Sequence, residues 1–352
     1  MDEYDVVIVG AGPSGAAAGY FLKRLRPEAN ALMIDRLNEG KYRRYHRMCG
    51  EAVSKALFKE LDPIVPSAVV HEISRMREVW PGGTVLTSRA KGYILDRPRF
   101  LQGIIADYRS MNGLLIEDAV EEVAQVRNGI TLGLTSGRKV RAGTVIGADG
   151  AHSAVRRALF REEPPVMLWT EQFLVRKQVE ADTLTFVQGE RYKGGYRWEF
   201  PAGDLARIGF PRGTDTIEEE ILETHRRVIP GGGLSRIVLG NALLTGDAAA
   251  MANPLTAGGI RVAMLSGRRA AEAIAAGDLG RYQRWWTSSP FAQDKYLKAF
   301  RRFEGMTDRD YVQAAKGFRG PVKALSMLGG FMARPEYRDI YRAYGPSGRY
   351  GW

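Results

Sequence analysis

The chain has 352 residues, 45% of them hydrophobic and 26% charged, with a formal net charge of +11. That length allows a large core in two lobes, and the composition is globular rather than disordered or fibrous. A single cysteine, Cys49, excludes an internal disulfide framework and a cysteine-rich metal site.

The N-terminus turns from acidic residues straight into an apolar run, without a basic segment and long apolar stretch, so no signal peptide is expected. No run approaches the ~18–20 apolar residues of a membrane span. His46, His71, His152 and His225 are scattered without ligand spacing, and no metal is expected.

The run YDVVIV (4–9) is short, apolar and β-branched, as in a buried parallel strand. GAGPSG follows, then a helix ending before Pro27, then a second buried strand, ALMID (31–35). Residues 51–61 are expected to be helical, with Ala52, Ala56, Leu57 and Leu61 on one face. Residues 68–95 are strand-like around a turn at 81–83, and 96–110 form a helix. Short strands are expected near 114–126, 129–135 and 138–141, and GTVIGADG (143–150) is a further buried strand. Residues 166–212 are strand-like, 215–229 are expected to be a helix, and PGGG (230–233) breaks it. A strand at ALLTGDAA precedes a long helix over 256–277, and the remainder is helical.

Gly10-x-Gly12-x-x-Gly15 stands between a predicted strand and helix, the context a dinucleotide fingerprint requires. The first glycine permits the turn, the second lets a pyrophosphate approach and the third lets the helix pack on the strand. Pro13 and Ser14 open that helix, whose free N–H groups suit an anion. Asp35, 20 residues past Gly15, ends the second strand where a carboxylate grips a ribose diol. Two more turns repeat the pattern of a buried strand followed by an aspartate: GADGAHSAVRR (147–157) with Asp149, and TGDAAAMANPLTAGGI (245–260) with Gly246 and Asp247. Each aspartate also suits a plain helix-capping role.

In order and spacing the three motifs resemble the FAD flavoproteins of the p-hydroxybenzoate hydroxylase type, across roughly residues 1–275. Two further segments, CGEAVS (49–54) and YRWEFP (196–201), together with ILDRPRF (94–100) and NPLTAGGI (253–260), resemble the geranylgeranyl reductase family, which includes archaeal digeranylgeranylglycerophospholipid reductases. The resemblance implies an α/β fold: a Rossmann-type FAD-binding domain, an inserted, mostly antiparallel β-sheet substrate domain and a helical C-terminus. The expected divisions are 1–66, 93–163 and 236–285 for FAD, 67–92 and 164–235 for substrate, and 286–352 for the helical end. The implied FAD-binding residues are Gly10, Gly12, Pro13, Ser14, Gly15, Asp35, Arg36, Cys49, Gly50, Arg97, Val120, Asp149, Gly246, Asp247, Gly258, Gly259 and Ile260. Glu51 departs from the family pattern, where glycine is expected.

Strand alternation puts Tyr196, Trp198 and Phe200 on one face, an apolar wall for a chain-like substrate, with Pro201 ending the strand or marking an edge. The implied activity is saturation of carbon–carbon double bonds in geranylgeranyl or other polyprenyl lipid chains. An isolated alkene has no carbonyl to take up charge, so it needs a hydride from reduced FAD, a proton donor and exact placement. Cys49 is the candidate donor. The electron source implied is NAD(P)H or reduced ferredoxin, and no second GxGxxG marks a separate nicotinamide domain. The alternative sharing the three motifs is an aromatic-type monooxygenase using NAD(P)H and oxygen; a non-enzymatic electron-transfer flavoprotein is the third reading.

Residues 281–352 carry 14 Lys and Arg against 6 Asp and Glu, and 15 of the 34 aromatics. That balance suits docking on an anionic membrane surface or a nucleic acid, or else a solvated helical face over an ordinary core. The reading takes the membrane surface and a ferredoxin-like donor as partners, excludes nucleic acid, and places the protein in the cytoplasm.

Overall fold

The computed structural model describes residues 1–47, 49–318 and 323–350. In chain order the first half contains β1 (Asp2–Val9), α1 (Pro13–Leu25), β2 (Ala31–Asp35), α2 (Glu39–His46), β3 (Ala52–Ser54), α3 (Ala56–Glu60), β4 (Val69–Trp80), β5 (Thr84–Leu95), α4 (Arg97–Ser110), β6 (Leu114–Glu117), β7 (Val120–Val126), β8 (Gly129–Leu134) and β9 (Lys139–Gly147). The second half contains β10 (Val166–Val175), β11 (Thr183–Val187), β12 (Arg197–Ala202), β13 (Leu205–Pro211), β14 (Ile221–Gly231), β15 (Val238–Leu239), β16 (Ala242–Leu244), α5 (Ile260–Ala275), α6 (Gly280–Ser288), α7 (Lys295–Glu304), α8 (Asp308–Ala315), α9 (Lys323–Ala333) and α10 (Arg338–Tyr350).

The first sheet runs β15-β16-β9-β1-β2-β6, with the β7–β8 hairpin attached to β9. β16, β9, β1, β2 and β6 are mutually parallel. Their continuous apolar runs follow from that arrangement, since a parallel sheet is covered on both faces; Val7, Ile8, Leu32, Met33, Val145 and Ile146 are fully buried. α1 packs on α5 through glycine: a Cβ on Gly267 would stand 2.1 Å from the Ser14 carbonyl oxygen. Tyr108 of α4 ties this layer to the sheet, its hydroxyl donating to the carbonyls of Ala31 and Leu114 at 2.8 and 3.0 Å.

The second sheet runs β14-β10-β13-β12-β11-β4-β5-β3. Only the β11–β4 pairing is parallel. The α/β architecture with a second, mostly antiparallel sheet and C-terminal helices is therefore as the sequence implies.

Two local expectations are corrected. Residues 221–229, expected within a helix over 215–229, instead belong to β14, antiparallel to β10 from Val166↔Gly231 to Val175↔Ile221. The cavity-facing side of this strand is polar (His225, Arg227), so apolar residues do not alternate and the charged pattern mimics an amphipathic helix. Residues 51–61 are not one helix: Glu51 sits at φ 59°, left-handed and incompatible with a helix start, so the chain makes β3 before the short α3.

The C-terminal aromatics are largely core. Tyr296, Phe303, Tyr311, Phe318, Tyr337 and Tyr341 are buried in a cluster around Trp80. They therefore serve packing, while Leu328 and Met332 of α9 are exposed. The helical expectation for 286–352 holds over the described residues; 319–322 and 351–352 lie outside them. Among the described residues no helix is long and apolar enough to cross a membrane.

Candidate active site

One cavity of about 830 Å³ opens between the two sheets. That is within the ~300–1,000 Å³ usual for ligand pockets. Its walls come from the three glycine–aspartate turns, the Cys49 loop and the inner face of the second sheet.

The dinucleotide turn is set by close backbone contacts. Gly10 has φ +99°, and a Cβ there would meet the Ala148 carbonyl oxygen at 2.4 Å. A Cβ on Gly15 would meet the Gly10 carbonyl oxygen at 1.9 Å. Gly12 faces the opposite situation: its added Cβ would find only His46 Cε1, at 3.5 Å. Gly12 is also the N-cap of α1, with no side chain capping it. The N-terminus of α1 thus opens onto the cavity through Gly12, Pro13 and Ser14. α5 does the same: Gly259 is its uncapped N-cap, and Gly258, Gly259 and Ile260 line the cavity. Two helix N-termini on one cavity suit a pyrophosphate.

Asp35 lies in the wall, its carboxylate accepting from Ala11 N at 2.6 Å and Leu37 N at 2.8 Å. Burial raises its pKa, and these two N–H donors oppose the rise. Each oxygen keeps a lone pair for a ribose hydroxyl. Arg36 and Val120 line the same region. Asp149 divides its roles between its two oxygens. Oδ2 accepts from Ala154 N and Val155 N at 2.7 and 3.3 Å, the capping role; Oδ1 is buried with no hydrogen-bond partner among the described residues. A buried acceptor left open in a cavity wall fits a missing polar ligand.

Asp247 lies opposite. Burial pushes its pKa up to about 6, with Arg97, Arg227 and Arg156 pulling it back. The folded value lies above the ordinary one, so this carboxyl stabilises the fold most at acid pH. That contribution falls as pH rises from about 4 through about 6. After removal of flavin, thermal melts of Asp247→Asn should therefore gain on the wild type between pH 4 and 7, by on the order of 2 kcal/mol.

Gly15, Gly246 and Pro201 stand behind the cavity wall rather than in it. Gly246 has φ +55°, and its added Cβ would press on Ser14 Oγ at 2.9 Å. Its part is to seat the third turn on α1. Pro201 lies within β12, paired with Ala206 of β13. β11 leaves β12 after Glu199, so Pro201 has a free edge on that side.

The aromatic side of the cavity is built by register. Across the second sheet, His225, Gln172, Gly209, Trp198, Phe186 and Glu78 are successive paired residues. They share a face, and all but Gly209 line the cavity. Gly209 is bare because the Trp198 ring lies over it; a Cβ there would be 2.1 Å from Trp198 Cζ2. Trp198 Nε1 donates to Gln172 Oε1 at 3.3 Å, fixing the ring. Gly209→Ala should lift the indole at a cost of about 1–3 kcal/mol; a changed near-UV circular dichroism spectrum and a lower melting temperature would report it.

Tyr196 donates its hydroxyl to the Thr256 carbonyl, joining the aromatic wall to the third turn. Phe186 meets Tyr196 and Phe200 edge-on at 5.2 and 5.3 Å. At the far end Tyr344 of α10 donates to Glu78 Oε2 at 2.7 Å.

The loop bearing Cys49 joins the two halves. Cys49 is half-buried and lines the cavity. A Cβ on Gly50 would be 2.6 Å from Phe200 Cδ2, so only glycine lets the loop lie on the aromatic wall. The Glu51 N–H donates to Cys49 Sγ at 3.3 Å. Arg97, first residue of α4, donates from Nε to the His46 carbonyl at 2.7 Å, bracing α2. His46 itself is buried and neutral: burial drives its pKa well down, and Arg97 and Arg227 push the same way.

Tyr45, His46, Glu78, Gln172, Phe186, Arg227 and Tyr344 are cavity residues absent from the sequence-based set. They come from different elements with no common spacing. Gly209, a glycine inside a strand pattern, is the one sequence signal that marks a close approach there. Among the described residues no cluster of three or more His, Cys, Asp or Glu could hold a metal.

The parallel sheet, the glycine turn and two bare helix N-termini on one cavity define a dinucleotide-binding protein. No family model matches the chain. It is 30% identical to digeranylgeranylglycerophospholipid reductase 1 of Methanococcoides burtonii, over 82% of this chain and 80% of that one. A second such reductase, from Methanopyrus kandleri, is 30% identical over 88% of each chain. The chain belongs to the digeranylgeranylglycerophospholipid reductase family. Its fold is that of a geranylgeranyl bacteriochlorophyll reductase-like protein from Thermoplasma acidophilum, with a TM-score of 0.79, 19% identity and coverage of 98% and 99% of the two chains.

Proposed function

We propose that this protein is an FAD-dependent reductase that saturates carbon–carbon double bonds of geranylgeranyl or related polyprenyl chains in isoprenoid lipids. The observation that carries the reading is the Cys49–Gly50 loop lying against Phe200, at the junction of the dinucleotide turns and the aromatic wall. The relatives' names, which specify a geranylgeranyl lipid, support it.

Reduced FAD supplies a hydride when bound. The residues of the chain do the rest. Gly12, Gly258 and Gly259 would present bare backbone to the pyrophosphate, Asp35 would take the ribose, and Asp149 and Asp247 would offer acceptors to the polar chain of the cofactor. Trp198, Phe186 and Phe200 hold a prenyl chain and exclude water from the reacting alkene. Cys49 gives the proton of its thiol to one alkene carbon; the hydride for the other carbon is what bound, reduced FAD would supply. The electron source belonging to this reading is NAD(P)H or a reduced ferredoxin-like protein, and the substrate is taken from a membrane surface.

The test is anaerobic. The protein is reduced chemically and mixed with a geranylgeranyl lipid, flavin reoxidation is followed by absorbance, and the lipid by mass spectrometry. A gain of two mass units per double bond is the expected result. A flavin that stays reduced until oxygen is admitted sinks the proposal and favours the monooxygenase reading.

A further inference from the structure

Glu51 has a backbone made for glycine and a side chain that glycine lacks. Its φ is 59°, a region where a Cβ is strained. Its side chain is 1% exposed. It is fixed between two elements: Oε2 lies 2.5 Å from Arg207 Nη2 of β13, and Oε1 accepts from Arg97 N, the first N–H of α4, at 3.3 Å. Its own carbonyl accepts from Leu95 N at 3.1 Å. A strained, buried, charged residue at a turn that glycine would satisfy at lower cost calls for a role beyond the turn.

The role follows from the charge carried by this loop, two residues from Cys49. The Arg207 guanidinium sits on the Glu51 carboxylate, the Arg97 guanidinium holds the His46 carbonyl at the start of the loop, and the N-terminus of α4 adds its positive end. Positive charge of that kind converts a thiol to a thiolate. A thiolate has no proton to give to an alkene. The Glu51 carboxylate is the negative charge that faces them.

We propose that Glu51 is a positioning residue that acts through Cys49: paired with Arg207, it offsets the positive charge around the loop and keeps the Cys49 sulfur protonated. The consequence for turnover rests on the proposed role of Cys49 as proton donor. The charge balance itself does not.

Asp247, on the third turn, also faces Arg97, so Glu51 is the carboxylate set against Arg207; the remaining groups near the loop are neutral or engaged elsewhere. His46 is held neutral by burial, and burial drives the Tyr196 phenol far up, so it too stays neutral. Asp96 caps α4, its carboxylate accepting from Arg99 N at 3.2 Å. Arg47 is paired with Glu223 at 3.3 Å. Burial pushes the Glu51 pKa up to about 7, with Arg207 and Arg97 pulling it down, so the carboxylate is present above neutrality, where a thiol most needs restraint.

The chain has one cysteine, so alkylation is read directly from protein mass. Oxidised, FAD-loaded protein is treated with iodoacetamide from pH 6 to 10. The plateau rate at high pH reports access to the sulfur; the fraction of that plateau reached at pH 7.5 reports ionisation. Glu51→Gly keeps the turn at φ 59° and removes the charge. Its relative rate at pH 7.5 should rise about tenfold, and Glu51→Gln should do the same. Glu51→Asp should restore the wild-type profile, and Arg207→Gln should lower the relative rate. A Glu51→Gly profile that superimposes on wild type, with unchanged flavin absorbance, overturns the proposal. A change in plateau alone means Glu51 only shapes access, and also overturns it. Were Cys49→Ser to keep full activity, the proton-donor reading would fall while the alkylation result stood.

Discussion

Replacing Cys49 by serine should lower turnover of a geranylgeranyl lipid by about 100- to 10,000-fold, the range a positioned general acid contributes. Serine preserves the shape of the side chain but is a far weaker acid. The structure gives reason to expect that the flavin stays. The dinucleotide turn, Asp35 and both helix N-termini are held by contacts that do not include the Cys49 side chain. The loop itself is held by Gly50 on Phe200 and by Glu51 on Arg207 and Arg97. Flavin content by absorbance and single-turnover reoxidation under argon separate the two effects. Normal flavin content with slow reoxidation is the expected outcome; reoxidation at the wild-type rate removes Cys49 from the mechanism.

The glycine-turn half of the cavity was legible because its geometry is local. Gly10, Gly12, Gly15 and Asp35 fall within 26 residues, and each glycine has a backbone reason to be there. The aromatic half was legible only where one strand carried the whole signal, at Tyr196, Trp198 and Phe200. Phe186, Gln172 and Glu78 reach the same face through four pairings among five strands, and register is not written in any one segment. β14 was misread because a cavity-facing strand carries polar residues where a core-facing one carries apolar residues. Glu51 was visible as a departure from a family pattern. Only the structure shows that its backbone still takes the glycine conformation while its side chain does something new.

Two glycines three residues apart should fail in different ways, and the contrast tests the cofactor site more sharply than either substitution alone. Gly15→Ala sets a methyl 1.9 Å from the Gly10 carbonyl oxygen. That carbonyl has little room to retreat, because Gly10 is itself pressed on Ala148 and its N–H is bound to the Ile34 carbonyl at 2.7 Å. α1 must therefore shift, and it also packs closely on α5 at Gly267. A clash between backbone segments inside a dense core costs at least the ~1–3 kcal/mol of ordinary overpacking. Gly15→Ala should lower the melting temperature by several degrees or abolish soluble expression, with flavin lost as a consequence. Gly12→Ala meets only an imidazole edge at ordinary contact distance. Its methyl group costs the fold little but stands on the bare surface offered to the pyrophosphate. This variant should fold, melt near the wild-type temperature of flavin-free protein, and purify with little or no FAD. Full flavin content in Gly12→Ala would show that the pyrophosphate does not approach the loop there.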